Sequence, residues 1–434
     1  MSQNERRRRF LEAMGQGAVA IIQGARLVTR SNDTEFPFRQ DSDFLYLTGF
    51  THPHAVAVLR TDGGPEYTLF VEPRDREREI WNGYRPGVEG AKSDFGASEA
   101  FPIEQLDAEL PRMLEHAERV YHMLGRDPRL DAKIAEIFES LRKRSRQGLI
   151  PASQVIDPRS VLHEMRLIKE PGEVEILRRA SAITAEGHRE AARIAHEGRF
   201  EFEIQAALEF AFKRRGSAGP AYGSICGGGR NATCLHYVAN DQKLANGELL
   251  LIDAACELSG YASDVTRTYP IGGQFSGAQR AVYEVVLAAQ LASLEAAKPG
   301  ATLPDVHNAS VRKLTEGMVS LGLLSGDVDD LIKSEAFRRY YMHGTSHWLG
   351  LDVHDVGAYT VGGKPRPLAP GMCFTVEPGL YVAADDDKAP REFLGIGVRI
   401  EDDIVITADG HENLTAQLVP KHPADVEAWV RDAA

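Results

Sequence analysis

HGTSHWLGLDVH, residues 343–354, places three histidines (His343, His347 and His354) within twelve positions, at spacings of four and seven. Imidazole is a common metal ligand and a proton carrier near neutral pH, so this density is not the pattern of a lone structural histidine. Apolar residues alternate along the segment, which predicts a strand over SHWLGLDVHD. Working outward, acids close the neighbouring apolar runs. Asp253 ends ELLLI, and Asp264 lies eleven positions on, past Ser259 and Gly260. That spacing makes a hairpin whose carboxylates face one side. Glu377 ends MCFTV before Pro378 and Gly379, and Glu401 lies in GIGVRIEDD. An acid in a buried strand is costly unless it is paired or bound to a cation. Four of them, each expected on a strand, call for more positive charge than Arg267, Arg391 and Arg399 provide. Four carboxylates with His347 form an oxygen-rich donor set. It suits hard or borderline divalent ions such as Mn²⁺ and not a cysteine-type structural zinc site. Their four negative charges balance two divalent ions, which together generate a hydroxide at neutral pH and polarise a carbonyl.

The rest of the chain frames this set. At 434 residues it exceeds one ordinary core, which predicts two domains. Strands alternate with helices in the first part: 18–22, 55–59, 67–73 and the RVYHML run as strands, and 5–14, RDREREIW, IEQLDAELPRMLEHA and LDAKIAEIFESLRKRSRQG as helices. The stretch from Thr29 to Phe50 reads as a polar loop with interleaved aromatics. This predicts an α/β N-terminal domain over residues 1–165 with a largely parallel or mixed sheet. Prolines 151, 158 and 171 mark the boundary, and Pro171 suits a first helical turn. Residues 166–434 then read as helices, short strands, two more helices (277–297 and 304–322) and strands again, an α+β domain.

The net charge of −13 argues against a nucleic-acid partner. The chain has no apolar run long enough to span a membrane. Arg6 to Arg9 resemble an export signal but lack the apolar core that should follow. The four cysteines, Cys226, Cys234, Cys256 and Cys373, form no CxxC and are expected to be reduced, in a cytoplasmic protein. Gly227 to Gly229 lack the Lys-Ser/Thr of a phosphate loop.

Asp253, Asp264, His347, Glu377 and Glu401 resemble the five metal ligands of the pita-bread metallopeptidases. The strings LIDAAC, YASDVTRTYP, MHGTSHWLGLDVHDVG, TVEPGLY and GIGVRIEDDIVIT narrow the resemblance to the aminopeptidase P group, as do SNDTEFPFRQDSDFLYLTGF and EIWNGYRPG in the first half. The resemblance covers nearly the whole chain. It implies a pita-bread catalytic domain preceded by a domain that covers the active-site mouth and mediates oligomer contacts. It implies two divalent metal ions, Mn²⁺ foremost with Co²⁺ or Zn²⁺ as options. Asp253 would hold one, His347 and Glu377 the other, and Asp264 and Glu401 would bridge them. Glu377 would also handle the proton. His236, in CLHYVAN, would stabilise the tetrahedral intermediate or leaving group and contact substrate. His343 and His354 would stand beside the metals and the substrate, and Arg399 would neutralise the carboxylates. Trp81 and Asp33 match positions near the site, Asp33 from a neighbouring subunit; Trp81 read on its own is a core or interface aromatic.

The implied activity is release of the N-terminal residue from peptides with proline second, by a homo-oligomer, dimer or tetramer. A proline slot would draw on Trp348 or Tyr381. Cleavage of Xaa-Pro dipeptides, as by a prolidase, is the nearest alternative. A non-catalytic peptide-binding protein of the same fold, or a metal-free amidinohydrolase of the creatine type, would have lost ligand residues, and none is lost here.

Overall fold

A computed structural model describes residues 2–433. The chain divides into two compact units after Met165, inside the helix Arg159–Leu167.

The first unit is built on six strands in the spatial order Glu99–Pro102, Tyr67–Val71, Val56–Arg60, Ala18–Gln23, Arg119–His122, Gln154–Ile156. Val56–Arg60 is antiparallel to both neighbours and the other pairings are parallel, so the sheet is mixed. The run AVAII is buried along its whole length because a strand covered on both faces has no solvent side to alternate with. Val19, Ile21 and Val120 pack with Leu130, Ile134 and Phe138 of the helix Pro128–Lys143. The stretch expected as a polar loop is more ordered. It contains a two-strand ribbon, Thr29–Ser31 with Thr34–Glu35, and the helix Ser42–Thr48. Asp41 caps that helix by accepting from Phe44 N at 2.8 Å. The interleaved aromatics Phe44 and Tyr46 are buried from it. Trp81, on the helix Arg76–Asn82, is 85% exposed and is no core residue.

In the second unit, Pro171 opens the helix Pro171–Ile194, which packs on Glu201–Arg214. Leu249–Asp253 follows, hydrogen-bonded between Ile225–Gly228 and Thr266–Pro270. The helices Gly277–Ala296 and Leu303–Ser320 then precede Cys373–Val376, Asp402–Ile406 and His411–Asn413, again a three-stranded antiparallel sheet. A helix pair followed by such a sheet thus occurs twice. The expected hairpin is nested. Ser259 and Gly260, at φ 53° and 86°, turn the short pair Cys256–Leu258 and Tyr261–Ala262 inside the longer one, where Asp253 stands opposite Thr266. Both positive φ values match a two-residue hairpin turn.

SHWLGLDVHD does not form the expected strand. It is irregular, with a single bridge from Trp348 to Phe374. Its apolar residues alternate because loop packing buries Trp348, Leu349 and Leu351 one by one. At Gly350 a Cβ would stand 2.2 Å from Asp355 Oδ2 and 2.8 Å from Lys169 Cε, so a larger residue must displace this buried ion pair.

The two sheets are tied by Arg267, which is fully buried. Its guanidinium donates to the carbonyls of Glu401 (2.6 Å), Thr266 (3.0 Å), Val419 (2.9 Å) and Pro420 (3.0 Å), and to Asp402 Oδ1 (2.7 Å). Asp402 also accepts from Lys421 Nζ (2.7 Å) and Gln290 Nε2 (2.6 Å). Burial alone would raise the Asp402 carboxyl, but Arg267 and then Lys421 hold it well below the usual range. Among the described residues no helix is long and apolar enough to cross a membrane. Replacing Asp402 with alanine strands two cations in the interior, so Asp402→Ala should cost about 3–5 kcal/mol of stability, read as a lower urea midpoint at unchanged slope.

Candidate metal centre

The four carboxylates converge at the junction of the two sheets, though not from within four strands as expected. Asp253 alone ends inside a strand; Asp264, Glu377 and Glu401 sit just beyond strand ends. A regular strand alternates its side chains between faces. Leaving the ladder frees each acid to turn toward a common point. His347 Nε2 lies 3.4 Å from Asp264 Oδ2 and 3.5 Å from Glu377 Oε1. One ligand atom each from Asp264, His347 and Glu401 lies within 4.8 Å of the others. Arg399 donates to Asp253 Oδ2 at 2.6 Å. Arg267 and Arg391, the other cations expected to serve the cluster, do not. Arg267 faces Asp402, and Arg391 is exposed on the short helix Arg391–Phe393.

Three further groups hold the set in place. Tyr222 OH lies 2.7 Å from Asp253 Oδ1 and 2.5 Å from Asp264 Oδ1, so its one proton is shared between the two acids. Thr266 Oγ1 donates to Glu401 Oε2 at 2.6 Å. Asp403 accepts from Asp264 N (3.1 Å) and Ser263 Oγ (2.7 Å). Sequence reasoning missed all three. Thr266 and Asp403 lie two positions from a named acid, a signal that was available. Tyr222, 31 residues before Asp253, gives none.

All five donors line one cavity of about 610 Å³, together with His236, His343, His354 and Arg399. Ile225, Leu235, Val238 and Tyr359 form its apolar wall. Trp348 is fully buried against Phe374 and is unavailable to a proline slot. Tyr381 is 2% exposed and committed to hydrogen bonds. Arg399 Nη1 donates to its hydroxyl at 2.9 Å, and the hydroxyl lies 2.9 Å from His343 Nε2. His343 Nδ1 lies 2.7 Å from the Gly344 carbonyl, so a neutral ring donating there accepts from Tyr381. Burial, and then Arg399, push its pKa down to about 4. The His354 ring meets that of His347 edge-on at 4.3 Å.

The donor set fits divalent cations. Burial first, then Asp264, Glu377 and Asp253, raise Glu401 well above the ordinary carboxylate range. Burial raises Glu377 to about 7 despite His347. Burial would lower His347, yet Asp264 and Glu377 bring it up to about 9. An acid that resists ionisation beside an imidazole that attracts a proton marks one thing: a pocket with more negative field than Arg399 offsets. Trp81 and Asp33 belong to the first unit, Asp33 between the two strands of its ribbon.

Comparison with known proteins matches residues 175–408 to "Metallopeptidase family M24" and residues 3–121 to "Aminopeptidase P, N-terminal domain". The chain belongs to metallopeptidase family M24. It is 45% identical to the Xaa-Pro aminopeptidase of Escherichia coli K12, over 98% of this chain and 96% of that one. The aminopeptidase PepP of Pseudomonas aeruginosa superposes with a TM-score of 0.97 at 45% identity, covering 100% of this chain and 99% of the other. A zinc-substituted E. coli aminopeptidase P in complex with product gives 0.96 at 44%, over 100% and 99%. The two-unit architecture is that of the pita-bread metallopeptidases, as the sequence motifs implied.

The crowded carboxylates should weaken the metal-stripped chain. Metal-free Glu401→Gln is expected to melt several degrees above metal-free wild type, at roughly 2–4 °C per kcal/mol. Added Mn²⁺ should stabilise wild type far more than the variant. Calorimetry of both proteins, stripped and reloaded, checks this.

Proposed function

We infer that this chain is a metal-dependent Xaa-Pro aminopeptidase, releasing the N-terminal residue from peptides with proline second. The observation that carries the reading is the convergence of Asp253, Asp264, His347, Glu377 and Glu401 on one cavity in a chain of this family. Asp253, Asp264, His347, Glu377 and Glu401 would hold two divalent cations, with Mn²⁺ the first choice, which would supply Lewis acidity and a water made nucleophilic at neutral pH.

The chain's own residues do the rest. Glu377 takes and returns the proton that moves between water and leaving group. Its Oε2 lies 3.7 Å from His343 Nδ1. His236 donates to negative charge developing on the carbonyl oxygen. His354 contacts the substrate beyond proline. Arg399 offsets Asp253 and, through Tyr381, fixes the tautomer of His343. The proline ring packs on the apolar wall of Ile225, Leu235 and Val238, since a tertiary amide brings no N–H to satisfy. Trp81 and Asp33 contact substrate in a homo-oligomer, dimer or tetramer. The four free cysteines support a reducing, cytoplasmic setting.

Chelated protein should be nearly inactive and recover with Mn²⁺ or Co²⁺; full activity in protein shown by metal analysis to be empty would refute the reading. Xaa-Pro-Yaa tripeptides should be cleaved better than Xaa-Pro dipeptides, and N-acetylation should abolish cleavage. Turnover of dipeptides alone would make this a prolidase. Glu377→Ala should lose several orders of magnitude in kcat while its circular dichroism stays native, because it removes a ligand and the proton carrier together.

A further inference from the structure

His236 is exposed on the cavity wall, in an irregular turn between the short helix Gly229–Thr233 and Tyr237. Among the described residues no hydrogen bond reaches its ring. Its position is therefore set by the backbone of its loop, and the anchor of that loop governs where the imidazole points. The anchor lies on the far side. Glu201, in the first turn of the helix Glu201–Arg214, is fully buried. Its Oε1 accepts from Gly228 N (2.7 Å) and Asn231 Nδ2 (2.9 Å), ahead of His236. Its Oε2 accepts from Tyr237 OH (2.7 Å) and Gln242 N (2.9 Å), behind it. One carboxylate thus closes the loop from both sides. The next turn of the same helix adds Gln205, whose Oε1 accepts from Asn240 Nδ2 at 2.9 Å. Asn240, buried and at φ 47°, accepts in turn from Cys226 N at 2.9 Å.

We infer that Glu201 is a positioning residue for the hydrolytic reaction, acting through His236; this rests on the role given to His236 above. The chemistry needs a carboxylate. Both oxygens face donors, two of them backbone N–H groups that cannot invert. A glutamine must turn its NH₂ toward one of these pairs, which pushes Gly228 or Gln242 away and lets the loop shift. A misplacement on the order of 1 Å at a reacting group costs up to ~10²-fold in rate.

The test is a double-mutant cycle on a tripeptide Xaa-Pro-Yaa with Mn²⁺-loaded protein: wild type, Glu201→Gln, His236→Ala and the double variant. Glu201→Gln is expected to lower kcat on the order of 10-fold with bound metal per chain unchanged. In the His236→Ala background, itself down ~10²–10³-fold, the same change should move kcat less than about 2-fold, because residues acting as one unit are non-additive. Full multiplication of the two losses, or loss of metal from Glu201→Gln, would overturn the inference. So would an unimpaired Glu201→Gln beside an impaired His236→Ala. An unimpaired His236→Ala refutes the role of His236 itself and is told apart by that single variant. If Glu201→Gln does not fold, Tyr237→Phe removes one of the four donors and takes its place in the cycle, with a kcat fall of about 3-fold expected to vanish without His236.

Discussion

Buried negative charge gathered at one point constrains everything else in the second unit. Carboxylates a few ångströms apart and largely buried oppose each other's ionisation, so the fold must supply compensation. It does so with few groups. Arg399 reaches Asp253, Tyr222 joins Asp253 to Asp264, and Thr266 holds Glu401. Trp348 and Val376, next to His347 and Glu377 in the chain, belong with Phe374 and Ile404 to one buried apolar cluster, and low polarity around charges strengthens their interactions.

The tripeptide Glu401-Asp402-Asp403 shows how strongly environment overrides residue type. Glu401 turns to the cavity, where burial and its neighbours push its carboxyl up. Asp402 turns to Arg267 and Lys421 and is held down. Asp403, facing Ser263, Ser181 and the Asp264 N–H with no cation, is pushed up to about 8 by burial and then by Asp264. Three consecutive acids thus become a cation-seeking group, half of a structural ion pair, and a hydrogen-bonded prop for a neighbouring acid. Only the first is exposed to the chemistry, yet the other two determine where it and Asp264 stand.

The groups that do chemistry are carried on strand ends and loops, and most of the groups that hold them, Tyr222 excepted, on helices and strands. Irregular backbone lets side chains aim at a common point but has few hydrogen bonds of its own. Such segments are tied to regular elements: 343–354 by the Trp348–Phe374 bridge, and 353–355 by Arg166 of the helix Arg159–Leu167, with Lys169 just past its end, through Asp355. The same division of labour separates His236 from Glu201.

Much of this was legible in the chain as written. The strands AVAII, YTLFV and LLLID announce themselves by short, largely apolar runs, Pro171 by its fit to a first helical turn, and the five donors by being charged or polar where apolar residues should be. Local chemistry suffices for those readings, because propensity and the cost of burying an acid are properties of a few consecutive residues. Alternation in SHWLGLDVHD misled, since loop packing buries apolar residues as readily as a strand does. Aromatics in the stretch from Thr29 to Phe50 hid a helix because only tertiary burial turns Phe44 and Tyr46 into a core face. By itself the sequence determined which donors exist and the elements that flank them. Only the tertiary structure decided that Arg399 meets Asp253 across 146 residues, that Arg267 does not serve the cluster, that Tyr222 links Asp253 to Asp264, and that Glu201 ties the two ends of the loop carrying His236. Those pairings depend on how distant strands and helices pack, and no short stretch of chain contains that register.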